Sequence, residues 1–293
     1  MIRFLIISIN LTILIVFESC EKSVYIDPLP DPLYAETEMA IRSKYDNRAV
    51  FTWKEYNDLL LVLSDNKFLV LPLNEMRQTY DNSKIVIGLR HDIDFNPFKA
   101  LEMAKMENEY GIRATYYILS TSDYYGDFTA DGFKRKEGME NLYHKIYQTG
   151  AEIGIHNDLL TIMIDYKIDP FQFNKEELDF FKTIEIPVYG SSAHGSPLSN
   201  YTKVPNYEVF SDFAKKDSIE YFGIKYPLGE HSLKDFGFEY EAYFLDFNYY
   251  ISDSGGKWNS PDGFSGILNK INGCGPGSRI EILIHPDWWG KKN

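Results

Sequence analysis

The stretch that most narrows the folding options of this chain is Lys84–Leu119, KIVIGLRHDIDFNPFKALEMAKMENEYGIRATYYIL. Ile85, Val86, Ile87 and Leu89 form a nearly continuous aliphatic run, the composition of a parallel strand covered on both faces. The run breaks into Arg90, His91, Asp92, Ile93 and Asp94. Asn96 and Pro97 then supply a helix cap and a first helical residue. Phe98, Leu101, Ala104 and Tyr110 mark a buried stripe, Gly111 a stop, and Ile112–Leu119 a second strand. The stretch therefore reads as one βαβ unit. Side chains alternate along a strand, so Arg90, Asp92 and Asp94 share one side if the extended backbone continues that far. Two carboxylates held together repel unless a cation or a proton sits between them.

The same alternation continues downstream. Met139, Leu142, Tyr143, Ile146 and Tyr147 predict a helix stopped by Gly150, and Glu152–Ile155 a strand running into His156-Asn157-Asp158. Asn174–Thr183 predicts a helix and Ile186–Tyr189 a short strand leading to the loop Gly190–Gly195, which carries His194. Tyr207, Phe210, Phe213 and Ala214 place a helix over residues 206–216; residues 221–226 and 243–251 read as strands. Phe264–Ile271 is a helix, and Ile280–Ile284 a strand ending in His285-Pro286-Asp287-Trp288-Trp289. Upstream, Thr52 and Glu55 form a capping box before the amphipathic run Trp53–Leu63, and Phe68–Leu71 is a short strand. Residues 120–136 read as a polar, aromatic loop. Strand and helix periods alternating in this way predict an α/β protein with a mostly parallel sheet.

The amino terminus has a different character. Arg3 precedes the apolar run Phe4–Phe17, and Ser19-Cys20 follows. Residues 1–19 resemble a bacterial lipoprotein signal, with Cys20 as the lipidated residue and Glu18 as a departure from the usual small or apolar position. An ordinary secretory signal and a retained anchor helix are the alternatives. The expected location is the cell envelope, membrane-anchored through Cys20. Residues 20–50, with Pro28, Pro30 and Pro32, read as an extended tether, and residues 51–293 as one folded domain. Cys20 and Cys274 lack C-x-x-C partners, which leaves cysteine zinc sites, iron–sulfur centres and dithiol redox sites unsupported. A formal charge of −13 excludes a general nucleic-acid binder, because there is no basic excess to neutralise phosphates.

Working groups in parallel α/β folds sit just past the carboxyl ends of strands. Here Asp92 and Asp94 occupy one such end, His156 a second, His194 a third and His285 a fourth, and the chain has only six histidines. One carboxylate and two neutral imidazoles make a three-ligand site for a divalent ion such as zinc, with a position left open for water. A second carboxylate can take a proton during attack, and a further histidine can return one to a leaving nitrogen. Arg90 or Asp287 could tune these groups or form ordinary surface ion pairs. Tyr124, Tyr125, Trp258, Trp288 and Trp289 would suit stacking on sugar rings, or core packing.

These residues carry a resemblance. Arg90–Asp94 followed by a helix and Gly111–Tyr117 is similar to the opening of the NodB-homology polysaccharide deacetylases, in the broad sense of carbohydrate esterase family 4 and its His-Asp-Val/Ile-Asp branch. Gly150–His156 resembles the second motif and Ile282–Pro286 the last, so the likeness spans about residues 84–289. It implies a distorted (β/α) barrel with fewer than eight regular strands, and removal of N-acetyl or O-acetyl groups from glycans. Asp92 falls on the catalytic base, His156 on the first metal histidine and His285 on the acid that protonates the leaving group. The metal aspartate normally follows the base directly; Ile93 stands there and Asp94 comes next. The second metal histidine normally lies four residues after the first, where this chain has Leu160, and His194 is the substitute. Three functions follow: a divalent-metal (zinc) hydrolase acting on an N-acylated sugar or glycan, a non-catalytic glycan-binding lipoprotein on the same barrel, or a metal-free glycosidase using Asp92 and Asp94.

Overall fold

The computed structural model describes residues 32–130 and 132–291, with side chains from Tyr34 onward. The signal expected over residues 1–19, and Cys20, the expected site of lipidation, lie outside the described residues. Among the described residues no helix is long and apolar enough to cross a membrane. In chain order the strands are β1 Phe68–Leu71, β2 Ile85–Ile93, β3 Thr115–Leu119, β4 Gly126–Thr129, β5 Gly132–Arg135, β6 Glu152–Asn157, β7 Val188–Ala193, β8 Ser218–Tyr221, β9 Ile224–Pro227, β10 Tyr240–Glu241, β11 Tyr249–Ser252 and β12 Arg279–Ile284. The helices are α1 Pro32–Tyr45, α2 Trp53–Leu63, α3 Leu73–Met76, α4 Pro97–Glu109, α5 Met139–Tyr147, α6 Leu159–Ile164, α7 Pro170–Thr183, α8 Pro197–Thr202 and α9 Gly263–Gly273.

The main sheet is parallel throughout and runs β10-β7-β6-β3-β2-β12-β11, with β1 also on β2. It is a distorted (β/α) barrel, as the resemblance implied. One source of the distortion is visible in the register of β2. Ile85–Gly88 pair with β1 and Arg90–Ile93 with β3, while β12 pairs along Val86–His91. Two partners thus share one edge of β2 in succession. The strand remains fully buried along its nine residues.

Alternation on β2 sorts its side chains into two layers. Ile85, Ile87, Leu89 and Ile93 join the large core between sheet and helices, whereas Val86 packs with Leu73, Met76, Tyr117 and Tyr240 inside the barrel. Gly88 falls on the inner row because Leu73 and Met76 of α3 fill the space. A Cβ there would lie 2.3 Å from Met76 Sδ. Above that plug the inner row turns polar, with Arg90 and then Asp92. His91 faces outward, stacked on Tyr116 at 4.4 Å and with Nε2 2.6 Å from Glu107 Oε1 of α4.

Helix starts follow local chemistry. Thr52 Oγ1 accepts from Glu55 N at 3.1 Å and Glu55 Oε2 from Thr52 N at 2.7 Å, the expected capping box. Asn96 caps α4 with Pro97 at its first position, and Gly111 follows its end with φ +68°.

Several expectations are corrected. The part of the expected tether from residue 32 onward is instead helix α1, Pro32–Tyr45, while residues 20–31 lie outside the described residues. Pro32 sits at a helix start, where a missing N–H costs nothing. Tyr34, Ile41 and Tyr45 are buried, Tyr34 packs edge-on against Phe98 at 5.5 Å, and Arg42 pairs with Glu102 at 2.7 Å. The helix expected at 206–216 is only a 3-10 turn, Asn206–Val209. Phe210 is extended, and Ser211 N donates to His231 O at 2.8 Å instead of to its own helix. Residues 221–226 make a hairpin, because Phe222 and Gly223 both take positive φ. The strand expected from Tyr243 begins at Tyr249, and the loop at 120–136 contains the β4–β5 hairpin.

Candidate metal centre

The inward rows of the strands converge at their carboxyl ends. Arg90 and Asp92 close β2 and Asp94 lies just beyond it, His156 is near the end of β6, Ser192 and His194 are at the end of β7, and His285 follows β12. Asp92 is clamped: Arg90 Nε donates to its Oδ1 at 2.8 Å and Nη2 to its Oδ2 at 2.7 Å. The same guanidinium donates to Glu281 Oε1 at 2.9 Å and to Ser192 Oγ, and all four residues are buried. Burial alone would push the Asp92 carboxyl up. The Arg90 charge outweighs it and holds Asp92 well below the usual carboxylate range. Burial pushes Glu281, despite Arg90, up to about 7. Arg90 is thus no surface ion pair; it keeps Asp92 ionised inside the barrel.

Asp94, His156 and His194 come together as expected, their ligand atoms all within 4.8 Å of one another. Asp94 Oδ1 is 3.4 Å from His156 Nε2 and 3.5 Å from His194 Nδ1, and the two ring nitrogens are 3.1 Å apart. Atoms bound tetrahedrally at ~2.0–2.2 Å from one ion lie roughly 3.3–3.5 Å from each other. The triangle therefore has the dimensions of one face of such a site. His156 Nδ1 donates to Ser192 O at 2.8 Å, which leaves Nε2 of the neutral ring as a lone pair aimed into the triangle. Asp94 Oδ1 is buried with no hydrogen-bond partner. A buried, unpaired carboxylate oxygen facing two imidazole nitrogens fits a divalent cation.

The charges agree with that fit. Burial disfavours protonation of His156, but the Asp92 and Asp94 carboxylates raise its pKa above the ordinary value, while burial and the neighbouring His156 lower that of His194. Without an ion, the two carboxylates favour the protonated form of His156. A metal ion competes with a proton for His156 Nε2. Loading with zinc is therefore expected to release protons, more of them as the solution is acidified, read by calorimetry in buffers of differing ionisation enthalpy, and affinity is expected to fall with falling pH.

His285, just after β12, is held by Asp253. Its Nδ1 lies 2.7 Å from Asp253 Oδ1 and its backbone N donates to the same oxygen at 3.0 Å, while Trp289 Nε1 fixes Asp253 Oδ2 at 2.9 Å. Burial works against the imidazolium. Asp253, and behind it Asp94 and Asp92, lift His285 to about 9. Asp287 is buried, and burial plus the Asp94 charge push it up to about 7.

Asp253, Ser192 and Glu281 were missed by sequence reasoning. Asp253 directly follows β11, so the strand-end rule that singled out the histidines would have found it. Ser192 and Glu281 carry no sequence signal beyond lying on inward positions. Leu160, where a second metal histidine was sought, is buried in α6, and His194 takes the place at the cluster. The proposed sugar-stacking aromatics are corrected. Tyr124, Tyr125, Trp258 and Trp289 are buried, with Tyr124 Oη donating to Ile93 O at 2.8 Å and Trp258 packed on Phe51 and Trp289, while Trp288 is partly buried beneath Arg48. The glycosidase alternative loses its acid, because both Asp92 and Asp94 are shifted down rather than up.

A buried Asp/His/His cluster at the carboxyl face of a distorted (β/α) barrel is consistent with a metal-dependent hydrolytic site. No protein-family model matches the chain, and no curated protein matches it.

Proposed function

We propose that the protein is a metal-dependent hydrolase of the polysaccharide-deacetylase type that removes an acetyl or related acyl group from an N-acylated sugar or glycan. The observation that carries the reading is the Asp94–His156–His194 triangle, with edges of 3.1 to 3.5 Å, set beside an Asp92 that Arg90 keeps ionised. Asp94, His156 and His194 would hold one divalent ion, and the nitrogen-rich set suits zinc. Such an ion supplies positive charge that polarises an acyl carbonyl and acidifies water. Asp92, whose Oδ2 is 3.5 Å from His156 Nε2, would accept the proton of the attacking water. His285, whose pKa Asp253 lifts to about 9, would give a proton to the departing nitrogen, so that an amide C–N bond breaks and amine and carboxylate products leave.

The reading extends to the cell envelope, with the domain tethered through a lipid on Cys20. It is tested on protein from residue 21 onward, by metal analysis and by acetate release from N-acetylated sugars. We expect about one zinc per chain, lost in both Asp94→Ala and His156→Ala together with hydrolysis. Protein that takes up no ion after incubation with zinc, or that holds one and releases no acetate from any N-acetylated saccharide, overturns the hydrolase assignment; saccharide binding without release would mark a glycan-binding protein.

A further inference from the structure

His194 stands one residue past the end of β7, yet its ring must be aimed at the triangle. Two bonds fix its backbone. His194 N donates to Asn157 O at 2.7 Å, which extends the β6–β7 ladder by one step. His194 O accepts from Asn206 Nδ2 at 2.8 Å. Asn206 opens the 3-10 turn Asn206–Val209 and is wholly buried.

The Asn206 amide is used in full. Nδ2 carries two N–H groups, and the second goes to Asp158 Oδ1 at 3.0 Å. Oδ1 accepts from Leu160 N at 2.8 Å. Leu160 N is a first-turn donor of α6, and Asp158, at the N-cap, makes no side-chain cap bond. The Asp158 carboxyl instead receives Thr161 Oγ1 at 2.8 Å and Thr121 Oγ1 at 2.9 Å. One side chain therefore ties the exit of β7 to the turn that follows His156. A histidine at position 160 would be carried by the same segment as His156. His194 comes from another strand, so its distance from His156 depends on a tie of this kind.

We infer that Asn206 is a positioning residue of the metal centre, fixing the His194 backbone against the corner between β6 and α6 so that the two imidazoles stay in register. The inference rests on the Asp94–His156–His194 triangle as the seat of the ion. Groups that orient a metal ligand are typically worth roughly 10- to 100-fold in affinity.

The test exchanges two partners. When Asn206→Asp is combined with Asp158→Asn, the bond between positions 158 and 206 can re-form in the opposite sense. Leu160 N keeps its acceptor, and the formal charge is unchanged. What is lost is the donor to His194 O. The metal-free double variant is expected to melt within a few degrees of wild type. Its zinc affinity, read by competition with a chelator, is expected to fall about 10- to 100-fold. The visible spectrum of its cobalt form is expected to shift toward that of His194→Ala, because coordination geometry sets that spectrum. Asn206→Ala removes all three side-chain bonds and adds no acceptor; it should show the same two changes even where its melting temperature drops. Zinc affinity and cobalt spectrum equal to wild type in a folded variant of either kind overturn the assignment and leave Asn206 a structural residue. Acetate release by zinc-loaded wild type is measured alongside. Weaker zinc binding in the variants with no release from wild type keeps the positioning role and removes the hydrolase reading. Release by wild type with unchanged zinc binding in the variants removes the positioning role alone, and a wild type that binds no zinc overturns both.

Discussion

Asp92→Asn is expected to abolish hydrolysis, by about 10²- to 10⁴-fold, while zinc remains bound. The asparagine keeps the shape of the carboxylate and cannot accept the proton of the attacking water. It also leaves Arg90 without its bidentate partner. Orphaning a buried charge typically costs ~3–5 kcal/mol. The loss here is expected to fall below that range, because Glu281 remains 2.9 Å from the guanidinium and can ionise more readily once it no longer competes with Asp92. Glu281→Gln is the matching control, since it leaves the Asp92 clamp in place. Metal content, melting temperature and acetate release of the two variants separate the roles. Loss of zinc in Asp92→Asn, or unchanged turnover in it, would remove Asp92 as base.

The second large effect concerns pH. His285 stands at about 9 because Asp253 overcomes its burial, with smaller help from Asp94 and Asp92. A cation on Asp94 cancels part of that help, so the alkaline limb of the rate profile is expected somewhat below 9. Asp253→Asn should move the limb down toward the ordinary imidazole value of ~6.5. At pH 8 the protonated fraction of His285 then falls from somewhat under nine-tenths to a few hundredths, a loss of roughly 20- to 30-fold in rate. Activity should return as the pH is lowered, which a merely structural defect would not permit. The same linkage acts on stability. A folded pKa above the unfolded one stabilises fully below pH ~6.5, and the contribution is lost as pH rises through about 9. Metal-free wild type should therefore lose stability across that window relative to Asp253→Asn. An alkaline limb that does not move in the variant would detach His285 from proton donation.

The parts of the fold legible in the sequence were those governed by short-range rules. The run Ile85–Leu89, the caps at Thr52 and Asn96 and the glycine after α4 report local hydrogen bonding and alternation, which neighbours in the chain suffice to specify. The repeated strand–helix units then imposed a parallel sheet, and polar residues at successive strand ends located the site. Expectations failed where distant segments satisfied the backbone. Residues 210–211 pair with His231 rather than continue a helix, and α1 forms because its apolar stripe finds α4.

At the site the division is similar. Strand alternation alone puts Arg90, Asp92 and Asp94 on one side, and the residue types point to a cation. That His194 rather than Leu160 joins His156, that Arg90 spends its charge on Asp92 while Glu281 rises to about 7, and that Asp253 supports His285 depend on which strands become neighbours. The pairing of β2 with β12, and of β6 with β7, brings together residues separated by tens to hundreds of positions in the chain. By itself, then, the sequence determined the candidate ligands and the faces they occupy, because a period of two is a property of one strand. Only the tertiary structure decided their partners and their charge states, because both arise from burial and from groups that the chain brings close only on folding.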